Sequence, residues 1–131
     1  MKEYIMGGMR KDKPLRFVIQ RHTRDGERPH WDLMLERGEV LETYRVSLPP
    51  EDWGVKPVEA VRIFDHPLKF LSYEGSVNKG AGRVEIADAG TYRLITQNEA
   101  QQQLSFSGNL LRGEIQLCLI ESDRWELSSA L

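Results

Sequence analysis

Residues 30–46, HWDLMLERGEVLETYRV, read as two short strands around a turn. In HWDLMLE (30–36), Trp31, Leu33 and Leu35 project to one face, and His30, Asp32, Met34 and Glu36 to the other. VLETYRV (40–46) continues the alternation. A hairpin around RGE that sets Trp31, Leu33 and Leu35 beside Val40, Tyr44 and Val46 leaves Leu41, Thr43 and Arg45 with His30, Asp32 and Met34. The second face needs nothing special if it meets water. In a closed barrel it can instead line a polar interior, and a site on it is expected there.

The pattern recurs outward along the chain. LRFVIQR (15–21), EAVRIF (59–64), GRVEIAD (82–88), TYRLITQ (91–97), QLSFSG (103–108), EIQLCLIE (114–121) and RWELS (124–128) are further candidate strands. Gly, Pro, Asp and Asn punctuate them in LPPEDWG, NKGAG, DAG, SGN and ESD. Only PPEDWGV and NEAQQQ can begin a helical turn. Short strands at roughly 8–12-residue spacing predict an all-β fold, a small closed or nearly closed antiparallel β-barrel with short helical turns.

Composition bounds the function. The 131 residues are 40% hydrophobic and 29% charged, which suits one globular domain over 1–131, with 1–14 as a flexible N-terminal arm. No apolar run approaches the ~20 residues that cross a bilayer, so no membrane partner is expected. The N-terminus lacks the apolar core and cleavage site of a signal peptide. Cys118 stands alone in an apolar run, which reads as a buried structural thiol in a reducing cytoplasm. A net charge of −2 argues against coating duplex DNA by bulk electrostatics. The charge is uneven, however: residues 1–46 carry ten Lys/Arg against eight Asp/Glu, and 47–131 carry eight against twelve. That basic excess is either a solvated face or a local funnel for an anion.

It gathers beside two of the three histidines, His22 and His30. Same-face neighbours on a strand, His30 and Asp32 have Cα atoms about 6.5–7 Å apart, which lets both side chains reach one ion. Two imidazoles and a carboxylate with open positions suit Mn²⁺, Fe²⁺ or Zn²⁺. On spacing alone, a solvent-facing histidine beside a strand aspartate explains the cluster equally well. His66, before a proline in IFDHPLKF, is on its own a turn residue or a functional one. His30, Asp32 and His66 also have the makings of the iron triad of a small oxygenase.

Together the segments RFVIQRH, PHWDLMLERGEVLETYRV, FDHPLKFLSYEG, GAGRVEIADAGTY, LSFSGNLLRGEIQLCLI and RWEL resemble the 3′-phosphoesterase domain of bacterial DNA ligase D, stand-alone versions included. The resemblance runs in order from about residue 16 to 127, most specifically in FVIQRH, HWD with LE, and DHPL with EG. It implies a small β-barrel that heals DNA or RNA 3′ ends at primer-template junctions. It further implies a manganese-dependent phosphodiesterase and phosphomonoesterase, with zinc or cobalt as other ions. By position, His22, His30 and Asp32 fall on the family's metal ligands, and His66 on the histidine that contacts the scissile phosphate. Asp65 beside it is expected to orient the ring.

Two positions depart from the family pattern. Met34 stands where an arginine grips the phosphate, and Lys69-Phe70 where an acidic residue and a tyrosine stand. The His22–His30 loop is also about two residues longer. Arg45, on the face of His30, Asp32 and Met34, is a candidate replacement for the lost grip, ahead of Arg24, Arg28 and Lys69. The sequence thus predicts a metal-dependent phosphoesterase of DNA end repair. The alternative is a catalytically weakened metal-containing barrel that binds nucleic-acid ends or another phosphorylated ligand. These residues carry no ligase or polymerase motif, so such a partner is expected to be a separate chain.

Overall fold

The computed structural model describes residues 14–130, so the arm expected over 1–14 lies, except for Pro14, outside the described residues. Nine strands follow in order: β1 Leu15–Arg24, β2 His30–Arg37, β3 Val40–Val46, β4 Val58–Pro67, β5 Gly75–Val77, β6 Gly82–Gln97, β7 Gln101–Ser107, β8 Arg112–Glu121 and β9 Arg124–Ser129. Between them lie three 3₁₀ turns, Pro50–Asp52, Leu68–Leu71 and Asn78–Gly80. The strands pair antiparallel as β1-β2-β3-β4-β9-β8-β7-β6, and β6 returns to β1, closing a ring of the predicted all-β class. β5 is an extra strand on β6. No helix among the described residues is long and apolar enough to cross a membrane.

The 30–46 hairpin pairs Trp31 with Val46, Leu33 with Tyr44 and Asp32 with Arg45, the register that the alternation predicts. Its apolar face points into the ring. There Phe17, Ile19, Leu33, Leu35, Tyr44 and Val46 join Tyr92, Leu104, Phe106, Leu117 and Leu127 in one core, plugged by Trp53. Burying each of these large side chains is worth roughly 1.5–3 kcal/mol, and this closes the ring. The polar face therefore lies outside the ring rather than lining its interior, as first expected. The interior is already filled by the bulkier apolar set.

β6 corrects another expectation. DAG was read as a turn between two strands, yet Asp88, Ala89 and Gly90 continue one strand of 16 residues. The Asp88 carboxylate does not cap a turn of its own; it accepts backbone N–H groups of Asn109, Leu110 and Leu111 across the β7–β8 turn. Gly90 lets β6 cross closely against Ser107, as it changes partner from β1 to β7. Cys118 is half-buried, and its Sγ accepts a hydrogen bond from Gln116.

Candidate metal centre and phosphate pocket

Strand alternation places Val18, Gln20 and His22 of β1 on the outer face, with His30, Asp32 and Met34 of β2 and Leu41, Thr43 and Arg45 of β3. His22 pairs directly with His30, so their rings meet edge to face with centroids 4.6 Å apart. His22 Nδ1 lies 2.9 Å from His30 Nε2, and His30 Nε2 lies 3.6 Å from Asp32 Oδ2. Donors 2.0–2.2 Å from one ion sit about 3–3.6 Å from each other, so the spacing fits a shared ion. The three residues form the one such group of metal-capable side chains among the described residues. His66 is not in it, which removes the His30/Asp32/His66 iron triad.

The far side of His22 is closed. Its Nε2 is buried with no hydrogen-bond partner, and a Cβ at Gly82 would come within 2.9 Å of it. Nδ1 is thus the nitrogen that serves the cluster. Burial, reinforced by the neighbouring His30, holds the His22 pKa below the ordinary histidine value. That favours the neutral imidazole an ion requires.

His66 reaches the same face through a β-bulge. Thr43 pairs with Ile63 and Leu41 with His66, so Phe64 and Asp65 together oppose Glu42. An unbroken register would put Asp65 opposite Leu41 and turn His66 away. His66 Nδ1 lies 2.9 Å from Thr43 Oγ1, while the Thr43 hydroxyl also lies 2.9 Å from the Leu41 carbonyl. A hydroxyl has one hydrogen, and the carbonyl can only accept it. Thr43 Oγ1 therefore accepts from His66 Nδ1–H, and the ring also bonds to the Phe64 backbone. Burial holds the His66 pKa below the ordinary value, against the opposing pull of Asp32. Asp65 accepts a hydrogen bond from Arg62 at 3.0 Å, and its charge acts on His66 to raise the pKa against burial.

A pocket of about 680 Å³ lies over this face, lined by His22, Asp32, Arg45 and His66 among others. Arg45 Nε lies 3.4 Å from Asp32 Oδ1, and the arginine side chain is 41% exposed, so its guanidinium retains donors for a ligand. Arg24 and Lys69 also border the pocket, whereas Arg28 does not. The segment from Pro67 to Gly80 covers one side. Buried Gln20 holds it, donating to the carbonyls of Phe70 and Tyr73 at 2.9 and 3.0 Å. Met34 packs with Val18 and Leu41 against Leu68, Phe70 and Leu71. The two departures from the family pattern thus share an apolar floor.

Sequence reasoning did not single out Thr43, Gln20 or Phe64. Alternation already set Gln20 beside His22, and the hairpin set Thr43 on the site face. The bulge had no signal in the sequence.

Fold and site together describe a small all-β ring with a His-His-Asp donor cluster on its outer wall, beside a basic pocket. The family model of the DNA ligase D 3′-phosphoesterase domain matches residues 20–119, and the chain belongs to that family. It is 33% identical over 117 residues to the multifunctional non-homologous end joining protein LigD of Mycobacterium bovis, covering 83% of this chain and 15% of the relative. The LigD proteins of Mycolicibacterium smegmatis and Pseudomonas aeruginosa are 39% and 38% identical over 80 and 89 residues. Those alignments cover 59% and 63% of this chain and 10% of each relative. The chain thus spans no more than about a sixth of the length of these relatives.

Proposed function

We propose that this chain is a divalent-metal-dependent phosphoesterase acting on nucleic-acid 3′ ends in DNA end repair, removing a 3′-phosphate or a 3′-ribonucleotide. One observation carries the reading: two members of the His22/His30/Asp32 cluster, His22 and Asp32, line one pocket together with Arg45 and His66. His22, His30 and Asp32 hold the ion, manganese ahead of zinc or cobalt, which supplies Lewis acidity at a phosphate oxygen and activates water. Arg45 grips the phosphate in place of the family arginine lost at Met34. His66 handles a proton or developing charge, its Nδ1 being committed to Thr43. Asp65 acts on His66 through its negative field, and on the bulge through its ion pair with Arg62. The protein works in the cytoplasm on DNA or RNA ends, including primer-template junctions, beside a separate ligase or polymerase.

The test is a primer-template bearing a 3′-phosphate or a 3′-ribonucleotide, incubated with Mn²⁺. Release of phosphate or nucleoside that EDTA stops is the expected result. A second reading, an end-binding barrel weakened in catalysis, draws on the apolar packing of Met34 and Phe70. Retained binding without release over long incubation would favour it.

Two substitutions probe the roles. Arg45→Ala removes a charge-assisted contact worth about 1.5–3 kcal/mol, so the inhibition constant of inorganic phosphate should rise about 10- to 150-fold. Unchanged anion binding would rule Arg45 out. Thr43→Val deletes the acceptor at His66 Nδ1, and kcat should fall about 3- to 10-fold, with Thr43→Ser restoring it. A valine variant with the wild-type rate would show that the ring needs no such anchor.

A further inference from the structure

We propose that Phe64 is a stacking platform for the terminal nucleobase of a 3′ end, a subsite that rests on the phosphoesterase reading of the adjoining pocket. Phe64 is 73% exposed, although a phenylalanine on a strand ordinarily gains by burial. The bulge brings it to the pocket wall, where its ring lies against His66 with centroids 4.7 Å apart and planes 25° from parallel. One face of the ring rests on the imidazole, and the exposure leaves the other to solvent.

The charge around it narrows the occupant. Arg24, Arg45, Lys69 and Lys79 line the same pocket, while Asp32 is the one carboxylate on its wall. A ligand with anionic and aromatic parts together matches that surface, and a nucleotide has both. Within a strand, neighbours cover each base on both faces; only the last base has a bare face. A free ring next to the phosphate-side histidine therefore suits an end and not an internal phosphodiester. Every base has a π-face, so the platform selects ends without selecting sequence.

The test uses 5′-fluorescent single strands ending in a 3′-phosphate, with either a base or an abasic sugar as the last residue. Affinity is read by anisotropy in EDTA, where hydrolysis is stopped, and turnover is read separately in Mn²⁺. Phe64→Leu should weaken binding of the base-bearing end about tenfold, change the abasic end less than twofold, and be rescued by Phe64→Trp. Equal wild-type affinity for both ends, or an equal loss on both in Phe64→Leu, overturns the platform. Mn²⁺-dependent turnover alongside either result leaves the phosphoesterase reading standing. A base-dependent loss with no wild-type turnover keeps the platform and removes the enzyme.

Discussion

Alanine at position 30 should lower Mn²⁺-dependent hydrolysis of a 3′-phosphorylated oligonucleotide by about 10³-fold or more, equivalent to about 4 kcal/mol of barrel-bound transition-state stabilisation. His30 Nε2 is the central donor, 2.9 Å from His22 Nδ1 and 3.6 Å from Asp32 Oδ2. Its loss leaves two donors with no third to complete the set. A direct readout is available without turnover. At an ion concentration of about 100 times its dissociation constant, binding stabilises the fold by about 2.7 kcal/mol, or roughly 10 °C in Tm for a domain of this size. Wild type should show that rise with Mn²⁺ and lose it in EDTA, and His30→Ala should show none. His30 sits at the start of β2 outside both packed apolar clusters, so the metal-free Tm should change little. A variant that keeps both the Mn²⁺-induced rise and the rate would end the three-ligand account.

Gly90→Ala should destabilise the fold by about 3–4 kcal/mol, a large share of the 5–15 kcal/mol that holds a domain together. An added Cβ would stand 2.2 Å from the Ser107 carbonyl oxygen and 3.0 Å from the Gly108 Cα. Both are backbone atoms, so no side chain can swing away to relieve the clash. Gly90 pairs with Phe17 of β1, and the next residue, Thr91, pairs with Ser107 of β7, so displacing it pulls at two seams of the ring. Thermal unfolding followed by circular dichroism measures the effect, with a fall of about 10 °C or more expected. A Tm within 2 °C of wild type would mean that β6 and β7 separate there at little cost.

Much of the site was legible because strand alternation is a local rule. The period of two in residues 30–46 sufficed to place Asp32, Met34, Thr43 and Arg45 on one face. What escaped depends on how strands meet. The direct pairing of His22 with His30 is set by the intervening loop, where Glu27 N–H bonds to the Arg24 carbonyl. The bulge at Phe64 and Asp65 decides whether His66 faces the site, and nothing in VEAVRIFDHP marks it. Asp88 and Gly90 misled for the opposite reason: both are turn formers by local preference, but here they serve a distant segment of chain. The turn Leu68–Leu71 was invisible because Gln20, some fifty residues away, holds it, and the short strand β5 because it exists only by pairing with β6.

The division of β1, β2 and β3 into an inward apolar wall and an outward polar wall separates two kinds of evolutionary freedom. On β1 and β2 odd-numbered positions such as Phe17, Ile19, Leu33 and Leu35 answer to packing and even-numbered ones such as His22, His30 and Asp32 form the candidate site. On β3 the parity reverses, with Tyr44 and Val46 inside and Thr43 and Arg45 outside. Polar positions on the outer wall, Asp32 and Arg45 among them, can therefore change without touching the core packed behind them.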